Sequence, residues 1–180
     1  DGIIVKSNFQ RYNGKINFTQ KFGDKVQFDL IANYSRSVTN GVTPTDAQSS
    51  SSASGWLIYS VWGYRPVQPL GYESDTFVDD LTDFDVASSD DYRFNPAKTV
   101  RNEYRKTIQD YLTANAALTW EIIPDLKLKV TGVYTLQNRR REEFNGSQTY
   151  TGYEGSPSGK GINGAIYWTR WLTWLNENTL

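Results

Sequence analysis

Taken two residues at a time, the segment from Arg11 to Phe22 separates into two rows. Arg11, Asn13, Lys15, Asn17, Thr19 and Lys21 are all polar, while Tyr12, Gly14, Ile16, Phe18, Gln20 and Phe22 are mainly apolar. Alternation with period two predicts a β-strand with one wet and one apolar face. Past the turn pair Gly23-Asp24 it resumes, with Val26, Phe28, Leu30, Ala32 and Tyr34 opposing Gln27, Asp29, Ile31, Asn33 and Ser35. A second hairpin repeats the plan. Leu112, Ala114, Ala116, Leu118, Trp120 and Ile122 oppose Thr113, Asn115, Ala117, Thr119 and Glu121. After the turn Pro124-Asp125, Leu126, Leu128, Val130, Gly132, Tyr134 and Leu136 oppose Lys127, Lys129, Thr131, Val133, Thr135 and Gln137. A fifth strand is expected near 167–180, but Trp168, Trp171, Trp174 and Leu175 do not share one parity, so its facing stays open.

Alternation alone suits a soluble sandwich as well as a membrane barrel. Row length and the asymmetry of the connections separate the two. Tyr12–Phe22, Leu112–Ile122 and Leu126–Leu136 each span ten residue steps. At ~3.3 Å per residue and a tilt of ~40°, that is about 25 Å of height, the apolar band of an outer-membrane barrel. Strands of soluble domains usually run to about 5 or 6 residues. Both tight turns fall at one end of the strands, and the connections at about 40–104 and 145–165 fall at the other. Short inner turns and long outer loops are the outer-membrane arrangement. Tyr12 and Tyr34 on the loop side, with Phe22 and Trp120 near the turns, are placed to form interfacial girdles. The expected architecture is all-β: a five-strand segment of a large antiparallel transmembrane β-barrel, with strands at about 9–22, 25–38, 105–123, 126–144 and 167–180. Five strands cannot close a barrel, and open edges in lipid leave backbone groups unpaired at several kcal/mol each. The chain is therefore expected to be an internal piece of a longer one, as a start at Asp1 and the absence of Met also suggest.

Composition narrows the chemistry. Nineteen Lys+Arg against 20 Asp+Glu leave a net charge of -1, so no global field attracts nucleic acid. With no Cys and no His, disulfides, thiol nucleophiles, imidazole bases and the common zinc sites are excluded. Aromatic residues make up 14% of a chain whose mean hydropathy is only -0.60. That pairing suits sheets with one wet face. No run approaches the roughly 20 apolar residues of a membrane helix, which leaves a strand-built membrane protein open.

Two features of the long loop carry candidate chemistry. Trp56, Tyr59 and Trp62 recur at helical spacing after a capping Ser54, followed by Tyr64 and Arg65. They would form a stacking platform for sugar rings or peptide side chains, with Arg65 as a polar clamp; local packing explains such a stripe equally simply. The stretch Glu73–Asp91 holds eight acids and no Lys or Arg. Calcium there is the alternative to a solvated acidic lobe, but the spacing is not that of the twelve-residue calcium loop. No cofactor is otherwise expected.

Three motifs in order, SNFQRYNGKIN at 7–17, SSASGWLIYSVWGYRPV at 51–67 and WLNENTL at 174–180, resemble the SusC/RagA-like TonB-dependent transporters of Bacteroidetes. The resemblance covers essentially the whole chain. It implies a 22-stranded barrel in the bacterial outer membrane, a plug domain absent from this segment, a SusD-like surface lipoprotein as partner and energy from TonB through a segment also absent here. It implies import of oligosaccharides, with peptides the alternative cargo, and no catalysis.

In such a barrel Arg11, Lys15, Asn17, Asp29, Asn33, Asn115, Thr131 and Gln137 would face the lumen and hydrogen-bond plug, water or substrate. Lys21, Lys127 and Lys129 would form a positive inner rim, and Arg140 would face lipid phosphates unless Glu142 and Glu143 hold it. Two contrasting readings remain: a soluble all-β carbohydrate-binding module, and a secreted glycosidase fragment using paired carboxylates of the acidic stretch.

Overall fold

A computed structural model describes residues 3–42, 57–63, 95–149, 151–154 and 161–180. Five strands form a single antiparallel sheet in chain order, β1 (Asn8–Phe22), β2 (Val26–Asn40), β3 (Glu103–Ile123), β4 (Leu126–Asn145) and β5 (Asn163–Thr179). The sheet is not closed, so β1 and β5 are its edges. Two seven-residue helices, α1 (Leu57–Gly63) and α2 (Pro96–Asn102), lie in the connection between β2 and β3.

The hairpins turn through left-handed residues, Gly23 at φ 64° and Asp125 at φ 70°. Gly adopts that region without strain, and Asp is among the few other residues that visit it readily. Register is constant along the strands. The Gly41 amide donates to the Arg105 carbonyl at 2.9 Å, and the Glu121 amide donates to the Lys25 carbonyl at 2.7 Å. The offset between β2 and β3 is the same at both places, so no bulge exchanges their faces. Strands of 15, 15, 21, 20 and 17 residues exceed the ten-step apolar rows. The surplus lies on the side of the long connections, where the alternation fades.

The chain divides into two compact units. One comprises Asp1–Asn8, Thr39–Lys106 and Glu142–Ile166. Its small core joins Val42, Leu57 and Val100, with Ile4 packed against them. Helices of seven residues do not persist alone in water, so α1 and α2 depend on this packing. Asn95 caps α2, its side-chain oxygen accepting from the amides of Ala97 (3.0 Å) and Lys98 (3.2 Å), and Pro96 opens the helix. At the other end Lys6 donates to the Arg101 carbonyl at 2.7 Å, a cation on the exposed helix C-terminus.

The same unit holds a tight turn after β4. Thr149 is fully buried; its hydroxyl donates to the Gly146 carbonyl (2.8 Å) and accepts from the Gly152 amide (3.0 Å). A Cβ at Gly152 would strike the Gly146 carbonyl oxygen and come within 2.9 Å of the Asn145 carbonyl. Gly152→Ala is expected to open this turn at a cost of about 1–3 kcal/mol. Hydrogen exchange at the Tyr153 amide, which donates to the Thr149 carbonyl at 2.9 Å, reads the effect. Exchange at the wild-type rate would show that the turn absorbs the methyl.

The other unit comprises Phe9–Val38, Thr107–Arg141 and Tyr167–Leu180. Among its described residues only Ala117 is a buried hydrophobic. Its apolar row is exposed instead, with Ile16 at 62%, Phe22 at 60% and Trp120 at 46%. Contiguous apolar surface of this extent is rare on soluble monomers and marks a face that meets something else.

Candidate functional site

Side-chain contacts sort the strands into two faces. On one, Arg11 donates to Ser35 at 3.2 Å, Thr19 donates to Asp29 at 2.7 Å, and Lys127 pairs with Glu121 at 3.6 Å. On the other, Phe18 and Phe28 meet as tilted rings 6.4 Å apart, and the Tyr34 hydroxyl donates to Asp110 at 2.6 Å. By register, Arg11, Lys15, Asn17, Asp29, Asn33, Asn115, Thr131 and Gln137 all belong to the first, polar face. Strand alternation places them there without any packing constraint, because the polar side chains occupy every second position.

Beside the tight turns this face forms a hollow of about 280 Å³ lined by Lys21, Gly23, Asp24, Lys25, Val26, Gln27, Thr119, Glu121 and Lys127. Of the lysines expected to form a rim, Lys127 therefore meets a carboxylate, that of Glu121 at 3.6 Å. The result is a mixed-charge wall rather than a purely cationic one.

The structure also fixes the facing of β5, which the sequence left open. Asn145 donates to Asn163 at 2.8 Å, and the Arg141 guanidinium lies 5.9 Å from the centre of the Tyr167 ring. Both contacts pair odd-numbered residues at one constant offset. Tyr167, Thr169, Trp171, Thr173, Leu175 and Glu177 thus join the polar face, and Ile166, Trp168, Arg170, Leu172 and Trp174 join the apolar one. β5 is aromatic on both faces, so periodicity could not resolve it.

At the long-connection end lies a buried polar network that no local pattern in the chain announces. The Glu103 side chain is 1% exposed and stands 3.8 Å from Arg105, itself 15% exposed. Arg105 donates to the Asn145 side chain at 2.5 Å and to the carbonyls of Tyr104 and Phe144 at 3.0 Å. Asn163 donates onward to the Gly161 carbonyl at 2.7 Å. This cluster ties β3, β4 and β5 to the loops they carry and is a structural clamp.

Of the expected aromatic platform, Trp62 is 72% exposed on α1, and Tyr59 lies in the same helix, its side chain outside the described residues. Trp56, Tyr64, Arg65 and the acidic stretch Glu73–Asp91 also lie outside the described residues. Among the described residues no group of three or more acidic or other metal-ligating side chains stands close enough to hold a metal ion. No described helix is long and apolar enough to cross a membrane, which says nothing of strands. Compared with family models, curated proteins and solved structures, the chain matched none.

Proposed function

We propose that this chain is a stretch of barrel wall in a TonB-dependent outer-membrane importer that takes up oligosaccharides with a SusD-like lipoprotein. One observation carries the proposal: the apolar face is uncharged over the full length of its rows. Positions 12–22, 26–34, 112–122 and 126–136 of that parity contain no Asp, Glu, Lys or Arg. Charges return on this face only beyond Tyr34 and Leu112, where Arg36 pairs with Asp110 at 3.8 Å and Tyr104 donates to Glu142 at 3.0 Å. A band of about 25 Å bounded in this way suits hydrocarbon. The unpaired edges of β1 and β5 support the same reading, since in lipid they require further strands to satisfy their backbone groups. Asn176 and Asn178 interrupt the apolar face on β5, but they bond to each other at 2.9 Å, and Asn176 donates to the Thr131 carbonyl at 3.3 Å. In this reading the polar face lines a water-filled lumen around a plug, and the outer parts of the strands project beyond the lipid.

The chain has no Cys, so once any cysteine outside it is replaced, single cysteines can be introduced at Phe28, Leu30, Ala116 and Val130 of the full polypeptide and spin-labelled in outer-membrane vesicles. These labels are expected to relax strongly with dissolved oxygen and weakly with a nickel chelate, with the opposite order at Asn33 and Thr131. Labels shielded from both reagents at the apolar positions would identify a sandwich core and overturn the membrane reading. Transport is tested by energised uptake: TonB-dependent accumulation of labelled oligosaccharide is expected, and accumulation of peptides alone would reassign the cargo.

A further inference from the structure

With β5 assigned, one region of the polar face has a composition that neither strand pair shows alone. Between the Asp29 level and Glu143, its positions are filled by Arg11, Lys15, Arg139 and Arg141, by small polar or amide side chains and a few aliphatic ones, and by four aromatics. Among the described residues, no carboxylate occupies a strand position of this region. The aromatics are Phe9 on β1, Tyr111 on β3, and Tyr167 and Trp171 on β5, exposed by 63%, 41%, 52% and 47%. Register sets Tyr111, Gln137 and Trp171 side by side across β3, β4 and β5, with Arg139 next along β4. At ~4.8 Å between strands, the two rings flank Gln137 about 10 Å apart, and the region spans roughly 19 Å from β1 to β5.

From this juxtaposition of ring faces with Arg11, Lys15 and Arg139 on strand positions that carry no acid, we infer that the region binds an oligosaccharide bearing carboxylate or sulfate groups. Tyr111 and Trp171 offer flat apolar faces to the C–H faces of pyranose rings, and Gln137 between them offers both a donor and an acceptor to hydroxyls. Arg139 and Arg11 present guanidinium forks that match carboxylate and sulfate geometry in two-point contacts. Arg141 rests on the Tyr167 ring, which orients its head group over the face. A neutral glycan would offer no counter-charge to Arg11, Lys15 and Arg139. An acidic peptide would answer the charge but would not need paired ring faces at a fixed spacing. The inference rests on the lumen-wall reading above for its access to cargo, and it adds the ligand's charge and the residues that read it.

The test is a binding panel on the full polypeptide in detergent: tetragalacturonate, its methyl ester, a sulfated chondroitin tetrasaccharide and tetraglutamate, measured by calorimetry at two salt concentrations. At least one acidic tetrasaccharide is expected to bind tenfold or more tightly than the uncharged ester, less so at high salt. In the Arg139→Gln/Arg141→Gln double variant that preference should disappear. In Trp171→Ala, affinity for the acidic sugar and the ester should fall together by about tenfold, because stacking is indifferent to charge. Arg170→Gln, on the opposite face, should behave as wild type. Equal affinity for acid and ester, no binding of any acidic sugar, or tighter binding of tetraglutamate would each overturn the inference. Failure of the membrane reading would show separately, in the oxygen and nickel accessibilities.

Discussion

Val130→Arg is expected to cost about 2–4 kcal/mol of folding stability in lipid vesicles, while Leu136→Arg costs about 1 kcal/mol or less. Val130 stands near the middle of the uncharged row on β4, whereas Leu136 ends it on the side where Arg36 and Asp110 already place charge. A lipid-facing cation is penalised by depth: at mid-membrane it must drag water or headgroups inward, while near the interface the long side chain reaches them. Leu128→Arg should fall between the two. Thr131→Arg, one position along from Val130 but on the polar face, should cost less than about 1 kcal/mol. Urea titration of the full polypeptide refolded into vesicles gives all four values. A flat profile over Leu128, Val130 and Leu136 would show that the row does not cross a bilayer, and equal costs at Val130 and Thr131 would show that the faces are wrongly assigned.

The parts of the fold that were legible in the sequence are those written with period two. The four strands of the two hairpins have one polar and one apolar row each, and the structure continues them at about the expected limits. Ile31 and Val133 break the rows without shifting register, because one apolar residue on a wet face costs little while a slip would invert every side chain. β5 was legible as a strand but not as a pair of faces. Its tryptophans occupy both parities, and only contacts from β4, Asn145 to Asn163 and Arg141 to Tyr167, decide which way each points. The helix α2 did carry a local signal, Asn95-Pro96, a capping residue followed by proline at the first helical position. Seven residues are too few for hydrophobic periodicity to stand out, so the cap was the only mark it left. The candidate site divides in the same way. The polar row on each strand could be read from alternation, but the gathering of Tyr111, Gln137, Arg139 and Trp171 depends on three strands' mutual offsets, and only that of β3 and β4 is tied to a tight turn.

The clamp around Arg105 leads to the second large effect. Glu103 is nearly inaccessible to water, and among the described residues the Arg105 guanidinium stands 3.8 Å from its carboxylate. Taking two charges out of water is costly, and their mutual attraction roughly offsets that cost only while both remain. Arg105→Ala is therefore expected to destabilise the long-connection end by about 3–5 kcal/mol, through a buried carboxylate without this cation and the unmet acceptors of Asn145 and Phe144. Glu103→Gln, which removes the charge but keeps the shape, should cost less. In Arg105→Ala/Glu103→Gln, much of the loss should be recovered, because the second change removes the charge the first exposes. Proteolysis of the 146–162 connection and hydrogen exchange at Gly146, whose amide donates to the Asn102 carbonyl at 3.0 Å, report this end of the sheet. The lower part of β3, fixed through the Glu121 amide on Lys25, should exchange as in the wild type. If the double variant is as damaged as Arg105→Ala, the stabilisation lies in the hydrogen bonds to Asn145 and Phe144 and the ion pair contributes little. If none of the three variants changes exchange at Gly146, the network is a consequence of the strand pairing and not one of its causes.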